Sequence, residues 1–138
     1  MTIAVSACLV GENCKYNGGN NYSKKVMEYI RGSEVIPICP EVMGALPTPR
    51  EPSEIVEGIV KHKDGTSVDD AFHRGAEAAY DAIKGKNVDC VILQSRSPSC
   101  GVHAIYDGTF SCRIIRGEGI FARLLREKGI RTIDVEDL

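Results

Sequence analysis

No stretch of this 138-residue sequence is apolar for long enough to cross a bilayer. Val5-Ser6-Ala7-Cys8 imitates the end of a lipoprotein signal, but no charged segment or sufficient apolar run precedes it. Charge of one sign is missing too. The 17 Lys and Arg against 19 Asp and Glu leave a formal net charge of -2, without the basic stripe that a nucleic-acid backbone selects. There is no internal repeat, low-complexity tract or linker. No two cysteines stand in a C-x-x-C pair, and His62, His73 and His103 include no pair four residues apart, so the common zinc spacings are absent. These absences point to a cytoplasmic protein with no membrane partner and no nucleic acid as expected ligand.

What remains is ordinary globular material, 43% hydrophobic and 26% charged. At this length one domain over 1–138 is expected, burying about two-thirds of its unfolded surface without help from disulfides. Six cysteines in such a chain are then reduced thiols, and a cluster of them more often binds metal or does chemistry than forms bridges.

Apolar strand-like runs alternate with helix-like stretches. The runs are Thr2–Ala7, Val35–Ile38, Val88–Leu93 and Arg131–Val135; the helices are Lys24–Arg31 capped by Ser23, a long one opening at Val68-Asp69-Asp70 and closed by Gly85, and Ile120–Lys128. In the long helix Ala71, Phe72, Gly75, Ala78, Ala79 and Ile83 repeat at helical spacing. The alternation predicts an α/β fold: a small Rossmann-like three-layer domain with a mostly parallel sheet and helices on both faces. Two excursions interrupt it, a small hairpin or edge excursion over Ile55–His62 with Gly58 in the middle, and an extended segment over Ala104–Cys112 around Asp107-Gly108.

In a parallel sheet all carboxyl ends point one way, and ligands bind in the crevice outside them. Cys8 closes the first run, Cys39 the second, and Cys100 lies in the turn Ser95-Arg96-Ser97-Pro98-Ser99-Cys100-Gly101 after the third. Three sequence-distant thiols are therefore expected at one pocket. Proline presets the backbone of that turn, and Gly101 permits an approach that a side chain would block. Cys90 and Cys112, within strand-like runs, are expected to be packing residues. Cys14 competes as a fourth ligand. Gly117 and Gly119 beside a helix start are a candidate phosphate cradle.

Three thiolates can hold zinc with an open position, or three corners of a four-iron cluster whose last iron is free for substrate. The missing C-x-x-C and the proline after Cys39 favour iron and sulfur. Glu41, two residues beyond Cys39, is placed to move a proton or orient a water. Ser97 and Ser99 are candidates for hydrogen bonds to the ligand. Pro40–Pro52 is expected to be a stiff proline-rich loop, and Arg50 within it can reach an anionic group on a ligand or pair with Glu51 or Glu54.

Ser6-Ala7-Cys8-Leu9-Val10-Gly11, Lys15-Tyr16-Asn17-Gly18, Cys39-Pro40-Glu41-Val42, Pro47-Thr48-Pro49-Arg50-Glu51-Pro52, Ser97-Pro98-Ser99-Cys100-Gly101 and Tyr106-Asp107-Gly108-Thr109-Phe110 together resemble the thiouracil desulfidase family over nearly the whole chain. The resemblance implies a 4Fe-4S cluster held by Cys8, Cys39 and Cys100, with one iron open to the sulfur of a thiolated pyrimidine base or nucleotide. It also implies replacement of that sulfur by water, with Glu41 transferring the proton and Ser97 meeting the substrate. Gln94 stands where a lysine is common in the family, and Asn17 where an aspartate is. From the residues alone, a zinc-dependent hydrolase or deaminase and a non-catalytic iron-sulfur or sulfur-carrying protein stay open as alternatives.

Overall fold

A computed structural model describes all residues from Met1 to Leu138. Its centre is a four-stranded parallel sheet in the order β2-β1-β5-β8, formed by Thr2–Ser6 (β1), Glu34–Ile38 (β2), Cys90–Leu93 (β5) and Thr132–Asp134 (β8). Helices Lys24–Ile30 (α1), Pro40–Met43 (α2), Asp69–Ile83 (α3) and Ile120–Glu127 (α4) connect the strands. Two hairpins are inserted, Ser53–Val56 with Ile59–His62 (β3, β4) and Ala104–Tyr106 with Ile114–Arg116 (β6, β7).

Side chains alternate across a strand, so each face of the sheet collects its own set. Ile3, Val5, Cys90 and Ile92 meet Val26 and Ile30 of α1, while Ala4, Val91 and Leu93 meet Ala76, Ala79 and Ile83 of α3 and Phe121 and Leu125 of α4. The three expected layers are present, with one helix on one face and two on the other. Cys90 is the core residue its run predicted, wholly buried in the face toward α1. In α3 it is Ala76 that reaches full burial; Ala78 stays partly exposed. Pro37 is accommodated because β2 is an edge strand, where the missing N–H costs no ladder bond.

The predicted hairpin forms around Glu57 and Gly58, both with positive φ (51° and 81°), the backbone that a tight two-residue turn demands. The segment after Cys39 differs from its expected loop. Pro40 occupies the first position of α2 and Cys39 caps it, because a fixed φ with no N–H suits a helix start. That single turn lies against α3 with no room between backbones: a Cβ on Gly75 would sit 1.8 Å from the Pro40 carbonyl oxygen, and one on Gly44 2.1 Å from that of Ala71.

Candidate functional site

In this sheet β1 connects to one side and β5 lies on the other, so the switch point falls between them, and a cavity of about 510 Å³ opens there. Cys8, from the 3-10 turn Ala7–Val10, Cys39 at the head of α2, and Cys100 all line it, together with Glu41, Arg50, Ser97 and Ser99. The convergence expected from parallel strands is present in the fold. Cys14 joins them: its thiol stands against those of both Cys8 and Cys39.

The Cys100 turn is rigid for reasons that start in its sequence. Ser97 Oγ accepts from the backbone N–H groups of Ser99 and Cys100, each at 3.1 Å, and Gly101 N donates to the Ser97 carbonyl at 2.9 Å. A Cβ on Gly101 would lie 2.7 Å from the Ala104 carbonyl oxygen, so only glycine fits. The start of α4 clamps the same turn, with Ile120 N donating to Pro98 O at 2.9 Å and Phe121 N to Ser99 O at 2.8 Å. Gly117 N and Gly119 N are likewise committed, to His103 O and Gly101 O. The candidate phosphate cradle therefore has no free amides; they hold the cysteine turn.

Glu41 is fixed from two sides. Arg50 Nε donates to its Oε1 at 3.0 Å, and Ser99 Oγ donates to its Oε2 at 2.9 Å. The Arg50 side chain is only 4% exposed. Its remaining donors reach Pro47 O, Thr48 Oγ1 and Cys14 O, so its pairing is with Glu41, and neither Glu51 nor Glu54 holds it. Ser97 Oγ lies 2.9 Å from Ser99 Oγ. Since Ser99 gives its proton to Glu41, Ser97 is the donor of that contact, and the series Ser97, Ser99, Glu41, Arg50 is continuous.

The thiols differ in their surroundings. Burial pushes Cys100 up to about 12. Cys39 is also pushed far up, first by its contact with Cys14 and then by burial. Cys14 is raised to about 11, the lowering contact with Cys39 being outweighed by Cys8 and burial. Cys8 is held below its ordinary value by a hydrogen bond from Cys14, against burial and with help from Asn21, whose Nδ2 lies 3.6 Å from its sulfur. Five cysteines and no histidine line the cavity, and the four at its inner wall, Cys8, Cys14, Cys39 and Cys100, form a donor set suited to an iron-sulfur cluster. No group of three His, Cys, Asp or Glu side chains closes round one point as a single metal ion requires.

Sequence reasoning missed several wall residues. Ser6, buried at 3%, accepts from Gln94 N at 3.1 Å and lies beside Cys100, and Asn21 supports Cys8. Cys112 is not a packing residue: it is exposed in the loop between β6 and β7, at φ 62°, and lines the cavity. The return strand begins only at Ile114, beyond the run that suggested a strand. None of the three histidines lines the cavity: His103 lies 2.7 Å from Asp137, and His62 and His73 pair with Ser53 and Asp69. Of the missed residues, Asn21 carried a signal, its place in a long turn-rich loop directly after a cysteine.

A parallel α/β sheet with its ligand crevice at the strand ends, walled by thiols and a braced carboxylate, defines the class: a doubly wound fold built for a sulfur-ligated centre. The model of the 2-thiouracil desulfurase family matches residues 3–137, and the chain belongs to that family. YbbK of Bacillus subtilis (strain 168), itself uncharacterized, is 37% identical, over 99% of this chain and 97% of that protein. The solved structure of TudS, a [4Fe-4S]-dependent thiouracil desulfidase, superposes with a TM-score of 0.92 at 36% identity, over 99% of this chain and 92% of that one. No helix of this chain is long and apolar enough to cross a membrane.

Proposed function

We propose that this protein is a 4Fe-4S-dependent desulfidase that converts a thiolated pyrimidine, as base or nucleotide, to its oxo form. The observation that carries this is the meeting of Cys8, Cys39 and Cys100 at one cavity with the braced carboxylate of Glu41. Family membership and the [4Fe-4S]-dependent structural neighbour support it. Cys8, Cys39 and Cys100 would hold the cluster, which when bound supplies an iron that draws electron density from the substrate's sulfur. The net change is C=S plus water giving C=O plus hydrogen sulfide, with no electrons gained or lost.

The chain's own contribution is to activate water and orient the ring. Arg50 and Ser99 hold the two oxygens of the Glu41 carboxylate in place, so that it would accept a proton from the attacking water. Ser99 is buried at 2% and Arg50 has its donors engaged, so both act through Glu41 instead of binding substrate directly. Ser97, half-buried on the wall, is the hydroxyl nearest to solvent in this series, and it would meet the pyrimidine edge by giving up its bond to Ser99.

The test is anaerobic purification followed by iron, acid-labile sulfide and zinc analysis, then sulfide detection during incubation with 2-thiouracil. Iron with labile sulfide and many turnovers per chain is the expected result. One zinc per chain, or sulfide release limited to a single equivalent, sinks the proposal in favour of a hydrolase or a sulfur carrier.

A further inference from the structure

Three ligands account for three of the four clustered thiols and leave Cys14 without a part. It is half-exposed, as are Cys8 and Cys39, whereas Cys100 is buried. Its sulfur already stands against that of Cys8. Both residues belong to the segment between β1 and α1, in which Glu12 N donates to Ala7 O at 3.2 Å and folds the chain back. Cys39 is less free to move, because it caps α2 and α2 is wedged on α3. Asn21 Nδ2 reaches the Cys8 sulfur at 3.6 Å and holds that side chain at the cavity wall.

We propose that Cys14 is a resolving thiol, which pairs with Cys8 as a disulfide when peroxide strips the site, and so keeps a cluster ligand recoverable. This rests on the reading of Cys8 as a ligand. The chemistry balances in two steps: the Cys8 thiolate takes oxygen from hydrogen peroxide, giving a sulfenic acid and, with one proton, water. The Cys14 thiol then displaces the second water and forms the S–S bond, so two thiols are oxidised and one peroxide is reduced. Without Cys14, the sulfenic acid persists and further peroxide carries it to sulfinic acid, which a thiol reductant does not reverse.

The sequence makes the product easy to recognise. Trypsin leaves Cys8 and Cys14 together in the peptide Met1–Lys15 and Cys39 in Gly32–Arg50. The holoenzyme is exposed to hydrogen peroxide, alkylated without reductant, digested and weighed. The expected product is Met1–Lys15 lighter by two hydrogens and unalkylated. A crosslink between Met1–Lys15 and Gly32–Arg50, or Met1–Lys15 alkylated at both cysteines, overturns the proposal. In parallel, wild type and Cys14→Ser are treated with peroxide, reduced with dithiothreitol and reloaded with iron and sulfide. Wild type is expected to regain its iron and Cys14→Ser to regain a small fraction; equal recovery overturns the protective role. If Cys8→Ala retains a full cluster before any peroxide, it is the ligand assignment that fails, whatever the peptide masses show.

Discussion

Glu41 and Arg50 form the one ion pair of the cavity in which both side chains are largely shielded, 16% and 4% exposed. Removing one member of such a pair strands the other, which costs more than losing a surface bridge. Glu41→Gln keeps the shape but cannot take a proton, so sulfide release is expected to fall about 10²–10⁴-fold. Cluster absorbance should remain unchanged in that variant. Arg50→Lys retains a charge but loses the fork that joins Glu41, Thr48 and Cys14 O; a fall in kcat with KM nearly unchanged is the expected outcome of steady-state kinetics. Cys100 carries a different dependence. Its thiol is raised from 9.0 to about 12 by burial, so between those values the metal-free folded chain keeps a proton that the unfolded chain has lost. The stability this gives is whole below pH 9.0 and drains away as pH rises toward about 12. Chemical denaturation of the metal-free chain across that window should show a steeper loss for wild type than for Cys100→Ser. Cluster loading, which displaces the proton, is favoured by rising pH.

At the level of elements, the site depends on two places where backbones touch. Gly75 lets the Pro40 carbonyl rest on α3, and a methyl there would need α2 to move with Cys39 at its head. Gly75→Ala is expected to lower stability by about 1–3 kcal/mol, measured by denaturant titration, and to reduce iron retention by more than an equally destabilising change far from the cavity. Much of this layer was legible beforehand. Val5 and Ile92 sit in uniformly apolar runs, and Ser23 before an apolar stripe announces α1, since the periods of strand and helix are written locally. α2 was not legible: Pro40-Glu41-Val42-Met43 is too short to show a period, and the prolines after it suggested a loop. Neither was the bond from Arg50 to Glu41, which depends on how a nine-residue excursion folds back, nor that from Asn21 to Cys8.

Across the whole molecule, the three proposed ligands follow three different strands, β1, β2 and β5, which are tied together by parallel register. None substitutes for another. Cys8→Ala, Cys39→Ala and Cys100→Ala should each abolish cluster retention, while Cys90→Ala, in the layer facing α1, should keep iron and labile sulfide at wild-type content. Sheet topology made this meeting predictable, because strand ends on one side is a global rule. The cavity's outer wall was not, since Cys112 and Phe110 reach it from an inserted hairpin with no fixed relation to the sheet. Glu54 secures that insertion through the amides of Gly108 and Phe110, at 2.9 and 3.1 Å. The residues proposed to hold the cluster thus stand on segments separate from the hairpin that frames the doorway. Exchanging the segment from Asp107 to Arg113 for another of equal length should retune which heterocycles are admitted while leaving the iron and labile sulfide content unchanged.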